Sequence, residues 1–195
     1  MGTTLSPAPR ALFGMIAALI AAPLAWADVP PPCRDDNKEI LQIDNPRALR
    51  IKKTEPNQTT VRAHIAGKLR KIYKDKSGHD HFSILIGSKE TDGVEVVYSH
   101  DFGQIPDARL KQGSEVEACG DFIVSKKKTE RYPASPDGAV IHWVHRNDGR
   151  RGSDHPDGYV LVDGVLYGFQ PGRPKKERPK MQRRHSDLFV QASAY

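Results

Sequence analysis

The chain has 195 residues, a formal net charge of +6 and a mean hydropathy of −0.59. This length fits one domain with terminal tails. The charge is concentrated at the C-terminal end, because residues 171–195 hold seven Lys and Arg against two acidic residues, whereas residues 28–170 are about neutral. The composition therefore excludes a strongly basic folded surface, despite a sequence pI near 9.3.

The N-terminus has the pattern of a secretory signal peptide. Arg10 is followed by an apolar run over residues 11–25, which is too short to span a bilayer. Ala25 and Ala27 then place small residues at the two positions that a signal peptidase reads. We expect cleavage after Ala27 and export to the periplasm or the medium, with no membrane insertion after removal of the signal. An uncleaved membrane anchor is the alternative.

The only two cysteines, Cys33 and Cys119, both follow the predicted signal peptide. An even cysteine count in an oxidising compartment usually indicates pairing. We therefore predict a Cys33–Cys119 disulfide that ties the N-terminal extension to the domain. Two free buried thiols are the alternative.

Composition and patterning divide the chain into four regions. These are a signal peptide (1–27), an extended lead-in (28–60), a β-barrel domain (61–170) and a basic disordered tail (171–195). One short helix is expected near residues 37–42 of the lead-in. A second short helical connection is expected over residues 105–111.

The barrel domain shows the alternation of apolar and polar residues that is typical of short strands. Strands are expected over residues 61–69, 81–86, 94–100, 114–124, 139–145, 159–162 and 165–167. Gly120 is expected to mark a bulge, and Asp163-Gly164 suits a type I′ hairpin turn. Together these features predict a mainly β fold, a small OB-like barrel of five to seven strands with one short helix. A β-sandwich is the alternative.

Several runs of residues in this domain form a recognisable pattern. They are His81-Phe82, Ser99-His100-Asp101, residues 110–116, Gly120-Asp121-Phe122, residues 137–145, residues 155–159 and residues 164–167. In these runs the stretch 61–168 resembles a bacterial exported family described as domain of unknown function 3465. The chain departs from that family at residues 146–148, where Arg-Asn-Asp replaces the usual His-Asp-Pro. The family has no established activity, so the resemblance implies no function.

Histidine is the main candidate for chemistry, with eight residues in the chain. His79 and His81 lie on one side of an extended segment, a spacing common among metal ligands. The candidate ligands of a divalent metal such as zinc are His81, His100, His145 and His155. With His142 added, these residues give the hypothesis of a metal-dependent hydrolase of the phosphodiesterase or nuclease type. The alternative is that the histidines bond to backbone and carboxylate groups at strand ends.

Aromatic and basic residues around residues 139–145 give a second hypothesis. The candidate ligand-binding residues are Trp143, His142, His145, Lys127, Arg146 and Arg150. If the loops on either side of this strand meet, their cations form a positive rim beside an aromatic strand, a pattern that suits nucleic acid or an acidic envelope polymer. Solvated loops and a purely structural or adaptor role are the alternatives.

The sequence favours a non-catalytic role over an enzyme. No G-x-S-x-G motif is present, so a serine hydrolase of that type is rejected. The leading hypothesis is an exported OB-like module that binds nucleic acid, another polyanion or an oligosaccharide. The metal-dependent hydrolase is the second hypothesis.

Overall fold

The structure, a computed structural model, describes residue 2 and residues 29–73, 78–130, 132–149 and 155–169. Apart from residue 2, the predicted signal peptide lies outside the described residues, as does the predicted tail. The described elements are α1 (Asn45–Thr54), β1 (Thr60–Ile72), β2 (His79–Leu85), β3 (Gly93–Ser99), β4 (Glu115–Val124), β5 (Ala139–His142), β6 (Tyr159–Val162) and β7 (Val165–Tyr167). Short 3₁₀ helices cover Glu90–Asp92 and His100–Phe102.

Strands β1 to β5 close into a barrel. Their order is β1-β2-β3-β5-β4, and β4 pairs back with β1. Every pairing is antiparallel except that of β3 with β5, which is parallel. The predicted mainly β, OB-like barrel is therefore confirmed, and the β-sandwich alternative is wrong.

Alternate side chains of β2 and β3 fill the interior of the barrel, and the side chains between them face outward. Phe82 and Ile84 of β2 and Val96 and Tyr98 of β3 are fully buried. Burying one such side chain contributes on the order of 1.5–3 kcal/mol. Because successive side chains of a strand point to opposite faces, the neighbours of these core residues face outward. His81 is one of these outward residues.

The helix of the lead-in lies later in the chain than the sequence analysis placed it. Residues 37–42 are not helical, so that prediction is wrong, and α1 begins at Asn45 instead. The Asp44 side chain caps α1 by accepting a hydrogen bond of 2.9 Å from the backbone N–H of Arg47. Pro46 stands in the first turn, where its missing N–H costs nothing.

The predicted helical connection over residues 105–111 is also wrong. A turn at residues 107–109 takes its place, and the helical segment after β3 is the 3₁₀ helix His100–Phe102. In the ranges that the structure describes, no helix has the length and apolar character needed to cross a bilayer.

One edge of β4 carries two strands end to end. Strand β5 pairs with Asp121–Val124, and β6 pairs with Val116–Cys119. Gly120 falls between these two segments and stays in register with Ala63 of β1, so the bulge predicted there is wrong. The chain leaves the edge of β4 after β5 and returns to it at β6. We call the described residues between them, 143–149 and 155–158, the excursion.

The disulfide between Cys33 and Cys119 is confirmed. The two Cα atoms are 5.6 Å apart, and both residues are buried. Because Cys119 precedes Gly120 on β4, the bond anchors the lead-in next to the break between β5 and β6.

The hairpin between β6 and β7 is confirmed as well. Asp163 has a φ of 48° and Gly164 a φ of 75°. A type I′ turn requires positive φ at both of its central residues, and the Asp-Gly pair supplies them.

Candidate functional site

Five side chains meet at the break between β5 and β6, and we call them the histidine–tryptophan cluster: His79, His142, Trp143, His145 and His155. Ring centroids are 6.2 Å apart for His79 and His142, and 4.7 Å apart for His142 and Trp143. Trp143 lies 4.6 Å from His155, and His155 lies 5.3 Å from His145. The contacts therefore run without a gap from β2, across the end of β5, into residues 143–158.

Trp143 turns the chain out of the barrel. Its φ is 56°, in the left-handed region that bulky residues rarely adopt. Such a conformation costs on the order of 1–3 kcal/mol and persists only where the surroundings enforce it. In a straight strand His142 and His145 would lie on opposite faces. The turn at Trp143 brings both imidazoles into one cluster.

Two glycines let the turn sit against β4. A Cβ atom on Gly120 would lie 2.7 Å from Val144 Cγ1 and inside 3.0 Å of the His142 carbonyl oxygen. A Cβ atom on Gly158 would lie inside 3.0 Å of the carbonyl oxygens of Trp143 and Cys119. The backbone around Trp143 can therefore approach this closely only because both residues lack a side chain.

A buried arginine holds the far end of the excursion. Arg62 of β1 is 6% exposed and donates hydrogen bonds to the carbonyl oxygens of Asp157 (2.6 Å) and Pro156 (3.0 Å). It also forms an ion pair of 2.9 Å with Asp121 of β4. The segment that carries His155 is therefore tied to the barrel wall.

The ring orientations of His145 and His155 are set by backbone carbonyls. His145 Nδ1 lies 2.7 Å from the Arg146 oxygen, and His155 Nδ1 lies 2.9 Å from the Pro156 oxygen. Since a carbonyl oxygen only accepts, Nδ1 carries the proton, and Nε2 of a neutral His155 is an acceptor. That Nε2 atom is buried without a hydrogen-bond partner among the described residues. An unsatisfied buried acceptor costs about 1–3 kcal/mol.

The His142 imidazole of the cluster is uncharged at neutral pH. Burial lowers the pKa of His142 to about 4, and the neighbouring imidazoles of His79, His145, His155 and His81 lower it further in that order. Removing an imidazolium from water is costly, and nearby positive charge adds to that cost. The His142 ring therefore stays neutral while the surrounding solution is near pH 7.

A cavity of about 230 Å³ lies at the same end of the barrel. It is lined by Ile72, Tyr73, Asp80, His81, Asp107 and Leu110. The 3₁₀ helix after β3 connects it to the cluster, because His100 Nε2 lies 2.8 Å from Asp80 Oδ1 while the Phe102 ring stacks on His145 at 3.7 Å. The second carboxylate oxygen of Asp80 is buried and has no partner among the described residues.

The four predicted metal ligands do not come together as one set. His81 Nδ1 lies 2.8 Å from Glu95 Oε1, and His100 bonds a carboxylate of β2. Of the four, His145 and His155 belong to the cluster. In the described part of the chain, no group of three or more His, Cys, Asp or Glu residues is arranged to hold a metal ion. The four residues therefore do not form one metal site among the described residues.

The predicted ligand-binding residues come together only in part. His142, Trp143 and His145 meet in the cluster, but Lys127 lies in the loop before β5, where its N–H bonds Asn57 Oδ1 at 3.0 Å. Because β5 follows that loop and the cluster follows β5, Lys127 and the cluster lie at opposite ends of the strand. Arg146 is exposed beside the cluster.

Arg150 lies outside the described residues. The predicted positive rim is therefore not formed by Lys127 and Arg146, which flank opposite ends of β5. Two members of the cluster, His79 and His155, were missing from the predicted ligand-binding set. The His79-x-His81 spacing drew attention to His79, but no sequence pattern indicates that the His79 ring contacts His142 of β5.

No protein-family model matches the chain, and no curated protein matches it. The resemblance of residues 61–168 to domain of unknown function 3465 therefore stays a prediction.

Proposed function

We propose that this chain is a non-catalytic binding module that acts after export and holds its ligand at the histidine–tryptophan cluster. The contact of three imidazoles, those of His142, His145 and His155, with Trp143, a bulky residue in a left-handed conformation, carries the proposal. Backbone strain at a strand end, maintained by packing and hydrogen bonds, is common at binding sites. OB barrels bind oligonucleotides and oligosaccharides, so these two polymers are the candidate ligands.

The described residues favour binding over hydrolysis. A metal-dependent hydrolase needs at least three protein ligands around its ion, and the described residues offer no such group. The cluster instead presents the partly exposed rings of His79, His142 and Trp143, whereas His145 and His155 are buried. Such a surface stacks on a ring and bonds its substituents, which is what recognition of a base or a sugar requires.

The test is an NMR titration that follows the indole N–H of Trp143. The chain purified after export is titrated separately with a single-stranded oligodeoxythymidine and with a neutral gluco-oligosaccharide. At least one ligand is expected to shift the Trp143 signal until it saturates. If neither ligand shifts it, the proposed function is wrong.

A matched pair of variants locates the site. Calorimetry is expected to show that Trp143→Ala loses binding, whereas Tyr132→Ala keeps it, because Tyr132 is 64% exposed in the loop before β5. Circular dichroism checks that both variants are folded. Equal binding by a folded Trp143→Ala variant would place the ligand elsewhere and contradict the proposal.

A further inference from the structure

One segment of the lead-in, residues 35–43, lies between two anchors to the barrel, and we call it the strap. The disulfide holds the chain just before the strap, at Cys33. Just after it, the Asp44 backbone N–H donates a hydrogen bond of 3.0 Å to the His64 carbonyl oxygen of β1. Seven of the nine residues of the strap are exposed. The strap is therefore fixed at both ends but lightly packed between them.

A single hydrogen bond joins the strap to the barrel between these anchors. Among the described residues, it links the Leu41 carbonyl oxygen to His64 Nδ1 at 2.9 Å. The other hydrogen bonds of the strap stay within the lead-in, such as that of 2.8 Å from the Leu41 N–H to the Cys33 oxygen. Ile40 and Ile43 are 54% and 47% exposed, so they add little apolar contact. Leu41, which is half-buried, is therefore the main point of attachment.

His64 faces acceptors at both of its ring nitrogens. Nδ1 meets the Leu41 oxygen, and Nε2 lies 2.8 Å from Glu117 Oε1 of β4. The hydrogen bond from His64 lowers the pKa of Glu117 although burial opposes this, so the carboxylate is ionised and only accepts. Burial raises the pKa of Tyr159, whose hydroxyl donates to the same Oε1 at 2.7 Å and lies farther, at 3.1 Å, from Nε2. Only the doubly protonated ring can donate to both of its acceptors at once.

The other charges near this ring offset one another. Asp44 and Arg47, which carry opposite charges, line a cavity together with it. Arg62, two residues earlier on the same face of β1, forms its ion pair with Asp121. Glu117 is therefore the charged group that acts most directly on the ring.

We propose that His64 is a pH-sensitive latch: its doubly protonated ring holds the strap closed, and loss of the second proton as the pH rises releases the strap. Histidine is the side chain that ordinarily changes charge between about pH 5 and 8. A neutral ring donates only once, and the anionic Glu117 is the stronger acceptor, so the bond to Leu41 is the one lost. Release opens the cavity of about 180 Å³ that lies between the strap and β1. The inference goes beyond the proposed function and does not depend on the ligand of the cluster.

Trypsin cleavage after Lys38, an exposed residue of the strap, measures how often the strap opens. The exported chain is digested with its disulfide intact, and mass spectrometry follows this cut. Each rate is divided by that of a synthetic peptide of residues 34–43, which removes the pH dependence of trypsin itself. The corrected rate is expected to rise about tenfold between about pH 6 and 8.5, as for the loss of one charge-assisted hydrogen bond. A corrected rate that does not change would overturn the proposal.

Three variants assign the effect to the latch. His64→Gln should make the corrected rate independent of pH. Glu117→Gln removes the anion that retains the second proton, so the rise should occur at lower pH. His81→Gln is the matched control, because His81 forms the same kind of pair with Glu95 at 2.8 Å on other strands, and it should keep the wild-type profile. A His64→Gln variant that is folded by circular dichroism and keeps the tenfold rise would overturn the proposal.

The wild-type chain provides a readout that needs no substitution. A long-range ¹H–¹⁵N spectrum should show protons on both ring nitrogens of His64 at about pH 6 and on Nε2 alone at about pH 8.5. Loss of the Nδ1 proton should coincide with the rise in cleavage. A ring that stays doubly protonated over this range, or that loses the Nε2 proton instead, would overturn the latch even if His64→Gln fails to fold.

Discussion

Substituting Gly158 with alanine should disturb the cluster without touching any of its side chains. The new Cβ atom would lie inside 3.0 Å of the carbonyl oxygens of Trp143 and Cys119, and 3.1 Å from the backbone nitrogen of His145. All three neighbours are backbone atoms, which cannot rotate away as a flexible side chain can. The excursion would therefore have to move away from β4 by a distance on the order of 1 Å to restore ordinary contact.

The expected cost of Gly158→Ala is about 1–3 kcal/mol in the free energy of unfolding, as for other overpacked positions. Urea denaturation followed by circular dichroism measures it. Gly164→Ala is the matched control, because Gly164 has a φ of 75° and no atom within 4 Å of a built Cβ. Its cost, about 1–2 kcal/mol, comes from the left-handed backbone alone, and it should leave ligand binding unchanged.

The two variants separate steric from conformational effects. Gly158→Ala should weaken binding at the cluster, because the misplaced Trp143 and His145 no longer match the ligand. If the free energy of unfolding of Gly158→Ala lies within about 0.5 kcal/mol of the wild-type value and the variant binds equally well, the close approach at Gly158 does not position the cluster.

Three further predictions concern the disulfide, acid stability and export. Replacing Cys33 and Cys119 with alanine should lower the free energy of unfolding by about 4 kcal/mol, because the bond closes a loop with a sequence separation of 86 residues and its removal returns conformational entropy to the unfolded chain. A difference of under about 1 kcal/mol in urea denaturation would refute this. His142 has its pKa lowered from 6.5 to about 4 in the folded state, so the unfolded state binds more protons as the pH falls through that window. Between pH 6.5 and about 4, the free energy of unfolding of the wild type should therefore fall by up to about 3 kcal/mol more than that of His142→Gln. A difference between the two proteins that urea denaturation shows to be constant over this pH range would contradict the prediction. Intact mass spectrometry of the exported chain should show Asp28 as the first residue, and a mass that retains residues 1–27 would disprove cleavage there.

Local sequence patterns were sufficient to predict the barrel. Phe82 and Ile84 alternate with polar neighbours, which indicates a strand with one buried face and places His81 outside. The Asp163-Gly164 pair defines its own turn, because both φ values are positive and both residues tolerate that region. The helix α1 had a signal too, since Asp44 followed by Asn45-Pro46 combines an N-cap with a proline in the first turn.

The cluster could not be predicted, because non-local pairings assemble it. Residues 139–145 look like one strand, yet the chain turns at Trp143, where β4 changes its partner at Gly120. Nothing in a local pattern shows that a tryptophan adopts a left-handed conformation. The convergence of His79 on β5 likewise depends on the parallel pairing of β3 with β5, which sequence periodicity does not encode.

A long-range ¹H–¹⁵N spectrum of the histidine rings measures which ring nitrogens of His155 carry a proton. In the ligand-free chain, Nδ1 of His155 should be protonated, as the bond to the Pro156 oxygen requires. Saturation with the oligonucleotide or the oligosaccharide that binds should shift the ring-nitrogen signals of the cluster histidines. An unprotonated Nδ1 of His155 in the free chain, or ring-nitrogen signals that neither ligand changes, would contradict the role assigned to the cluster.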